Sequence, residues 1–314
     1  MPQDRWVGEL AARLARFKRA VIWGHPLGSH THSYIHLGFA KALVSIGVET
    51  VWTDDPLLLE RTGVAQTLFL TEGQVVAGLP RERSCRYVLH NVDRSWYEEI
   101  ADCVLLLQAY TVDAELRSLQ ATTCQRLNSY TWVDVDDHGT PTLYQPWASD
   151  LLPDEFDFAL PTPELAPGAY AAWVGTIGGG AFGNAAELAG FQAAAGAAGV
   201  EFVHREGLSR SAHRRLVAGS VVAPAIVGAW QLRKGYLPCR VFKNISYGRL
   251  GLTNSPAVAG IFDPELPWSS DSGEVFAKGV ELLGRRDLLT GQMCEVQARH
   301  TFLNRLDAIV SCLP

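Results

Sequence analysis

The chain has 314 residues, of which 47% are hydrophobic and 19% charged, and its formal net charge at pH 7 is −6. This composition is typical of a globular protein, and the length suggests two domains of roughly 100–200 residues each. The acidic balance argues against nucleic acid and anionic membranes as partners, because both require a basic surface. The sequence has no apolar run of the ~18 residues that a transmembrane helix needs.

The cysteines and the N-terminal segment indicate the compartment. The six cysteines are scattered without C-x-x-C spacing, so we expect neither a disulfide framework nor a zinc site among Cys85, Cys103, Cys124, Cys239, Cys294 and Cys312. The segment "MPQDRWVGELAARLARFKRA" has helical spacing but no apolar core of a secretory signal. We therefore expect a cytoplasmic protein.

In the first half of the chain, apolar runs alternate with amphipathic segments. The run "RAVIWGH" predicts a buried strand, "HSYIHLGFAKALVSIG" the helix after it, and "VETVWTDD" a second strand. This βαβ pattern predicts a parallel sheet with helices on both faces. Further strands are predicted at "CRYVLHN", "DCVLLLQ" and "YTWVDVDD".

The second half repeats this alternation after a proline-rich segment, residues 153–168, which we interpret as a hinge. Predicted elements are the strand "AAWVGTI", the helix "AAELAGFQAAAGAAG", the strand "VEFVH", the helix "SRSAHRRLVAG", the strand "SVVAPAI", the helix "CRVFKNISYG", the strand "LGLT" and helices from about 271 to 313. The sequence thus predicts an α/β protein with domains at 1–160 and 161–314. Ligands of such proteins bind where the strands end.

Histidines cluster at the ends of predicted strands in the first half. His25, His30 and His32 follow the first strand, on a loop of about eight residues that is longer than usual at this position. Each is a candidate general base, although turn hydrogen bonding and a metal site are alternatives. His90 and Asn91 end a later strand, where catalysis, acceptor binding and loop anchoring all remain open.

The glycine-rich stretch "GGGAFGN" follows the first strand of the second half. Gly178, Gly179, Gly180 and Asn184 are candidates for binding a diphosphate, because glycines allow close approach and the next helix directs its N–H groups at the loop. Two alternatives remain. The G-x-G-x-x-G match with Glu206 on the next strand is also a dinucleotide-binding pattern, and the stretch could be a tight turn between domains.

The acidic stretch "DVDD", residues 134 to 137, has two interpretations. Asp134 and Asp136 have the spacing of a motif that binds a metal and a diphosphate, but the alternation that follows favours a β-hairpin with an acidic turn. We therefore predict no metal site here or elsewhere.

Residues 237–255, "LPCRVFKNISYGRLGLTNS", carry more hydrogen-bond donors than packing requires. Arg240, Lys243, Asn244 and Tyr247 lie on neighbouring turns of the predicted helix, and Thr253, Asn254 and Ser255 follow the next strand. A helix, a glycine stop and a short strand with a polar tip form a common unit of α/β proteins.

This stretch, together with Phe262 and the terminal "ARHTFLNRLDAIV", resembles the glycosyltransferase group-1-type domain of spore-maturation-like proteins over residues 170 to 314. The resemblance implies a GT-B fold, in which two Rossmann-like domains face each other across a cleft. It implies a nucleotide-sugar donor bound to the second domain and an acceptor bound to the first. Lys243 replaces a frequent glutamate of the family; a lysine donates to phosphate and cannot accept from ribose hydroxyls.

Together these patterns predict a metal-independent glycosyltransferase that uses a nucleoside-diphosphate sugar and no further cofactor. The predicted catalytic residues are His25, His30, His32 and His90; the predicted donor-binding residues are Gly178, Gly179, Gly180, Asn184, Arg240, Lys243, Asn244, Tyr247, Thr253, Asn254 and Ser255. Trp147 and Asp150 are further candidates. The alternatives are a nicotinamide-dependent oxidoreductase using Glu206, and a nucleotide- or sugar-binding protein without catalysis. Donor, acceptor, stereochemistry and oligomeric state stay open.

Overall fold

A computed structural model describes residues 3–25, 31–109, 124–160 and 163–314. The chain divides into two compact units: the first comprises Met1–Ala109, Ala114–Gln145 and Phe302–Pro314, and the second Tyr110–Asp113 and Pro146–Thr301. The sequence predicted a single boundary at 160/161, whereas the chain leaves the first unit at Gln145 and returns to it at Phe302. The return has a packing reason, because the Phe302 ring lies 4.8 Å from the Phe39 ring in an edge-to-face contact.

The first unit is built on one mainly parallel sheet. Its described strands are β1 Arg19–Trp23, β2 Thr50–Thr53, β3 Thr67–Thr71, β4 Arg86–His90, β5 Val104–Gln108, β6 Gln125–Asn128, β7 Thr131–Val135 and β8 Pro141–Tyr144. Its described helices are α1 Gln3–Leu14, α2 Thr31–Ser45, α3 Pro56–Thr62, α4 Arg94–Tyr97, a 3-10 helix Glu98–Cys103 and the C-terminal Phe302–Cys312.

The strand order is β2-β1-β3-β4-β5-β8-β7-β6. Strands β1 to β5 pair in parallel and β8 joins β5 in parallel, while β7 is antiparallel to both β6 and β8. The parallel arrangement confirms the βαβ prediction. Strands β3 and β6 were not predicted.

The core of the first unit lies on the faces of the parallel strands. Val21 and Trp23 of β1 and Phe69 of β3 are fully buried, and the Phe69 ring stacks on Tyr87 of β4 at 5.2 Å. Parallel strands are covered on both faces, which explains why they appear as continuous apolar runs in the sequence.

The "DVDD" stretch forms the predicted hairpin turn. The Asp136 Oδ1 atom accepts hydrogen bonds from the main-chain N–H groups of His138 at 2.9 Å and Thr140 at 2.8 Å. Gly139 has a φ of +79°, a conformation that favours glycine. These bonds account for Asp136 as a turn residue between β7 and β8.

The second unit contains fewer regular strands. Its described elements are β9 Tyr170–Val174, β10 Glu201–Arg205, a 3-10 helix Pro153–Glu155 and the helices α5 Ala185–Ala197, α6 Arg210–Gly219, α7 Ala229–Arg233, α8 Cys239–Ser246, α9 Pro256–Ala259, α10 Ser272–Glu281 and α11 Arg286–Arg299; Phe302–Cys312 of the first unit is α12. Strands β9 and β10 pair in parallel. No helix in the described ranges combines the length and the apolar character needed to cross a membrane.

Two predicted strands of this unit are wrong as regular strands. "SVVAPAI" and "LGLT" make only isolated bridges, Ala171 with Val222 and Ala225 with Thr253. In the first segment Pro224 has no N–H group to donate to a ladder. In the second, the Gly251 N–H donates to the side chain of Gln292 at 2.8 Å instead of to a neighbouring strand.

The proline-rich segment 153–168 lies within the second unit, not at the boundary between units as predicted for a hinge. Its described residues are held against neighbouring elements. The Arg286 guanidinium of α11 donates to the carbonyls of Phe158 and Leu160, and the Gln297 amide donates to the Pro153 carbonyl at 2.7 Å. The described part of this segment is therefore a packed connection.

Candidate functional site

Titratable side chains of the second unit gather near the end of β9 and the helix that follows β10. Helix α8 contributes Arg240 and Lys243, the first turn of α6 contributes Arg210 and His213, and the loop before β9 contributes Asp150. The ends of parallel strands are where α/β proteins bind ligands. We call these five residues the titratable cluster.

Arg240 is anchored to the end of β9. Its Nε and Nη2 atoms each donate to the Val174 carbonyl at 3.2 Å, and its Cζ lies 3.6 Å from the centre of the Trp173 ring. Gly175 makes room for it, because a Cβ there would lie 2.9 Å from Nη2. Burial lowers the pKa of Arg240 to about 10, so it stays charged at neutral pH. Within the described ranges, its other N–H groups make no hydrogen bond, and they can bind an anion.

Asp150 is a buried carboxylate, 6% exposed, surrounded by donors. The Tyr247 hydroxyl donates to Oδ1 at 2.6 Å, and the Arg210 Nε lies 3.3 Å from Oδ2. Burial alone would raise the pKa of Asp150, but the Lys243 ammonium, the Tyr247 hydrogen bond and Arg210 lower it below the usual value. The carboxylate therefore stays ionised and supports the charge of Lys243, which is 7% exposed.

His213 was missed by sequence analysis. Burial, and then the nearby positive charge of Lys243, lower its pKa to about 3, so the imidazole is neutral at physiological pH. Its ring packs edge-on against Tyr247 at 5.3 Å, and its Nε2 is buried without a hydrogen-bond partner among the described residues. The available signal was the spacing of Arg210 and His213, three residues apart on a helix that follows a strand.

The glycine-rich loop closes on itself. The Gly178 carbonyl accepts from the N–H groups of Asn184 at 2.9 Å and Ala185 at 3.0 Å, and the Asn184 Oδ1 accepts from the Gly178 N–H at 3.1 Å. These N–H groups at the start of α5 are the ones that a dinucleotide pyrophosphate would use. Glu206, the acid required by the dinucleotide hypothesis, lies 3.4 Å from His204. The loop geometry thus weighs against a pyrophosphate at these N–H groups, whether it belongs to a dinucleotide or to a nucleotide sugar, and the donor-binding role of Gly178, Gly179, Gly180 and Asn184 stays a prediction.

Polar residues of α8 and of the segment after it form hydrogen bonds with the main chain. Asn254 exchanges two hydrogen bonds of 2.9 Å with the main chain of Val227, and Asn244 donates to the Ala223 carbonyl at 2.7 Å. Thr253 donates to the Ala225 carbonyl, and Ser255 caps α9 through the Val258 N–H. These side chains are buried and fix the segment 223–227; their predicted contact with a ligand stays a prediction. Trp147, also a candidate, is buried.

In the first unit, three candidate residues lie at the carboxyl ends of β1, β3 and β4, on one edge of the sheet. Two of them, His25 and His90, were predicted, and Glu72 was not. His25 follows β1 and is exposed; His90 ends β4 and is buried, and its N–H donates to Thr71 Oγ1 at 3.1 Å. The Asn91 amide lies 3.2 Å from the His90 Nε2, and Asn91 has a φ of +56°, unusual for a residue other than glycine. Such strained residues occur often at functional sites.

Two predicted histidines lie elsewhere. His30 is outside the described residues. His32 belongs to the first turn of α2 and not to the connecting loop, because the helix begins at Thr31. The role of both residues stays a prediction.

Glu72, directly after β3, is the new candidate on this edge. It is 1% exposed and packs against Gly24, where a Cβ would lie 2.5 Å from the Glu72 Cδ. Burial raises the pKa of Glu72 to about 7, with Asp54 adding to the rise and the Trp52 indole opposing it. A carboxyl group that titrates near neutral pH at the end of parallel strands is a candidate for function. The only sequence signal was an acid directly after the mainly apolar run "TLFLT".

The described residues contain no group of three or more His, Cys, Asp or Glu side chains able to hold a metal ion. The features that suit a ligand are the cationic side chains of Arg240 and Lys243, which lie about one turn apart on α8, with Arg240 reaching the end of β9. They suit a phosphate or diphosphate.

No family model matches the chain, and no curated protein sequence matches it. Among solved structures, an alpha-glucosyltransferase in complex with UDP aligns with a TM-score of 0.54 and 9% identity, covering 93% of this chain and 99% of that one. AviGT4, a glycosyltransferase involved in avilamycin A biosynthesis, aligns with a TM-score of 0.50 and 12% identity over 93% and 98%. The alpha-glucosyltransferase with UDP and a mismatched 13-mer DNA aligns with a TM-score of 0.50 and 9% identity over the same shares. The chain therefore has the α/β GT-B fold of two Rossmann-like domains, as predicted.

Proposed function

We propose that the protein is a glycosyltransferase that transfers a sugar from a nucleoside-diphosphate sugar to an acceptor. The observation that carries this proposal is the pair Arg240 and Lys243 on α8, of which Arg240 is bonded to the end of β9, in a GT-B fold. Two of the similar structures hold UDP, which supports a uridine diphosphate donor. The resemblance of residues 170 to 314 to the spore-maturation-like domain is in line with this class.

The chemistry needs stabilisation of the leaving diphosphate. As the bond from the anomeric carbon to the diphosphate oxygen breaks, negative charge collects on that oxygen, and the acceptor oxygen forms the new bond. Arg240 can donate its remaining N–H groups, and Lys243 supplies an ammonium group. Two fixed cations can provide the charge stabilisation that other enzymes obtain from a metal ion. We therefore propose a metal-independent reaction.

The first unit would bind the acceptor. Its edge carries His25, His90 and Glu72, and burial raises the pKa of Glu72 to about 7, so that its carboxylate can accept a proton near neutral pH. One similar structure contains DNA. For this chain we infer a small-molecule or glycan acceptor, because a net charge of −6 gives no sign of a basic surface for nucleic acid.

The test is ligand binding followed by turnover. Isothermal calorimetry with UDP, GDP, ADP, dTDP, NAD and NADP should show binding of one nucleoside diphosphate. Arg240→Gln and Lys243→Met should each weaken that binding about tenfold or more, because a charge-assisted hydrogen bond contributes about 1.5–3 kcal/mol.

The control is Arg299→Gln, an exposed arginine of the same unit that pairs with Glu295. Binding of NAD or NADP alone would contradict the proposal, and nucleotide binding without sugar transfer to any glycan acceptor would favour the non-catalytic alternative.

A further inference from the structure

Phe182, in the glycine-rich loop, is a large apolar side chain that faces solvent. It is 72% exposed. Its ring meets Trp230 of α7 edge-to-face, with the ring centres 5.2 Å apart and the planes at 77°. Two perpendicular rings form an aromatic corner, defined here as Phe182 and Trp230. An exposed ring of this size, on the loop whose first residue Gly175 lies against Arg240, suits contact with a ligand.

The corner is carried on fixed backbone. A Cβ at Gly228 would lie 1.9 Å from the Gly183 carbonyl oxygen, so the two segments touch directly. The Glu187 side chain of α5 accepts from the Ala229 N–H at 2.8 Å, which joins the start of α5 to the start of α7. The rings are therefore held at the junction of two segments, so that binding a flat ligand would order little extra chain.

The glycine-rich loop that carries Phe182 also lies against Arg240 of α8. The loop begins at Gly175, which makes room for Arg240, and it passes through Phe182 before α5 begins. A nucleoside diphosphate has a charged part and a flat aromatic part. The loop thus meets the Arg240 guanidinium at its first residue, Gly175, and carries the Phe182 ring seven residues later.

We propose that the aromatic corner of Phe182 and Trp230 stacks the nucleobase of the donor. This inference rests on the proposed function. Stacking of a base on an aromatic side chain tolerates any base, because every base has a π-face. The corner would therefore strengthen nucleotide binding without selecting the base.

The test compares a nucleotide with a ligand that lacks the base. Calorimetry would measure the affinities of UDP, GDP, ADP, dTDP and inorganic pyrophosphate for the wild type and for Phe182→Ala, Phe182→Leu and Trp230→Leu. We expect Phe182→Ala to weaken nucleotide binding about 5- to 30-fold and to leave pyrophosphate binding unchanged. Phe158→Ala, at a partly exposed phenylalanine of the same unit outside the loop, is the control and should change neither.

Two results would overturn the subsite alone. Nucleotide affinity that is unchanged in Phe182→Ala would show that no base stacks there. An equal loss for nucleotide and pyrophosphate would show that Phe182 acts through the loop conformation. If the wild type binds pyrophosphate but gains nothing from any nucleoside, or binds no nucleotide at all, the proposed function falls together with the subsite.

Discussion

Two buried carboxyl groups, Asp150 and Glu72, differ in their surroundings. Asp150 lies among Lys243, Arg210 and the Tyr247 hydroxyl, which lower its pKa although burial acts in the opposite direction. Glu72 is buried near another acid, Asp54, and its pKa rises to about 7. The first carboxylate is a permanent charge that supports a cation, while the second can change its protonation near physiological pH.

The raised pKa of Glu72 predicts how stability depends on pH. The pKa rises from 4.5 to about 7 on folding, so the folded protein holds this proton more tightly than the unfolded chain. The resulting stabilisation is present below pH 4.5 and is lost as the pH rises through 7. Removing the charge with Glu72→Gln should therefore raise the free energy of unfolding at pH 8 by about 1–3 kcal/mol and change it little at pH 4.5.

Urea denaturation at both pH values measures this difference. Glu60→Gln, at an exposed position on α3, is the control and should show no such pH dependence. The same change at both pH values for Glu72→Gln would contradict the prediction. The Trp52 indole and Asp54 also affect the pKa of Glu72, so both are kept unchanged in these variants.

At the level of elements, helix α8 has two faces with different tasks. Val241, Phe242 and Ile245 are buried, and Phe242 stacks on His300 at 4.7 Å. Arg240 and Lys243, three residues apart, lie on a common face, where Arg240 reaches the end of β9. The apolar face fixes the helix, and the cations are positioned as a consequence.

The close packing inside the glycine-rich loop predicts how a substitution at Gly183 affects stability. A Cβ at Gly183 would lie 2.0 Å from the Gly178 carbonyl oxygen, whereas a Cβ at Gly179 would have nothing within 4 Å. Gly183→Ala should destabilise the second unit by about 1–3 kcal/mol, because the loop must open to admit the methyl group. Thermal unfolding measures the loss, with Gly179→Ala as the matched control. Equal behaviour of the two variants would show that the loop does not need this close approach.

At the level of the whole molecule, the chain crosses between its two units more than once. Helix α12 returns to the first unit, where Phe302 occupies the space left by Gly38: a Cβ there would lie 2.2 Å from the ring. Arg305 is fully buried and lies over the Tyr130 ring at 4.7 Å. The last residues of the chain are therefore part of the core of the first unit.

This packing predicts that a change at the end of the chain destabilises the first unit. Phe302→Ala should lower the free energy of unfolding by about 3–5 kcal/mol, because it leaves a cavity against α2. Urea denaturation followed by circular dichroism measures the loss. Ser311→Ala, on an exposed position of the same helix, should have an effect within about 0.5 kcal/mol. A small effect of Phe302→Ala would mean that α12 is not required by the first unit.

Much of the fold could be predicted because its signals are local. The apolar runs of β1, β4 and β5 and the amphipathic pattern of α8 each lie within a short segment. The strand predicted at "SVVAPAI" was wrong, because the segment has the composition of a strand but Pro224 has no N–H group to donate to a ladder. The return of α12 was missed because its partners in the first unit are distant in sequence, whereas β3 was missed although its run "TLFLT" is a local signal like that of β1.

For the candidate site, local sequence patterns identified the cationic residues of α8, and the resemblance to a known family predicted the GT-B fold. Arg240, Lys243 and Tyr247 were recognised because polar residues at helical spacing are visible in one segment. The positions of Asp150 and His213 near these residues, and the burial of Glu72 near Asp54, follow only from the folded structure. The reason is physical: a pKa and a hydrogen bond depend on groups that meet through folding, and sequence spacing does not specify those meetings.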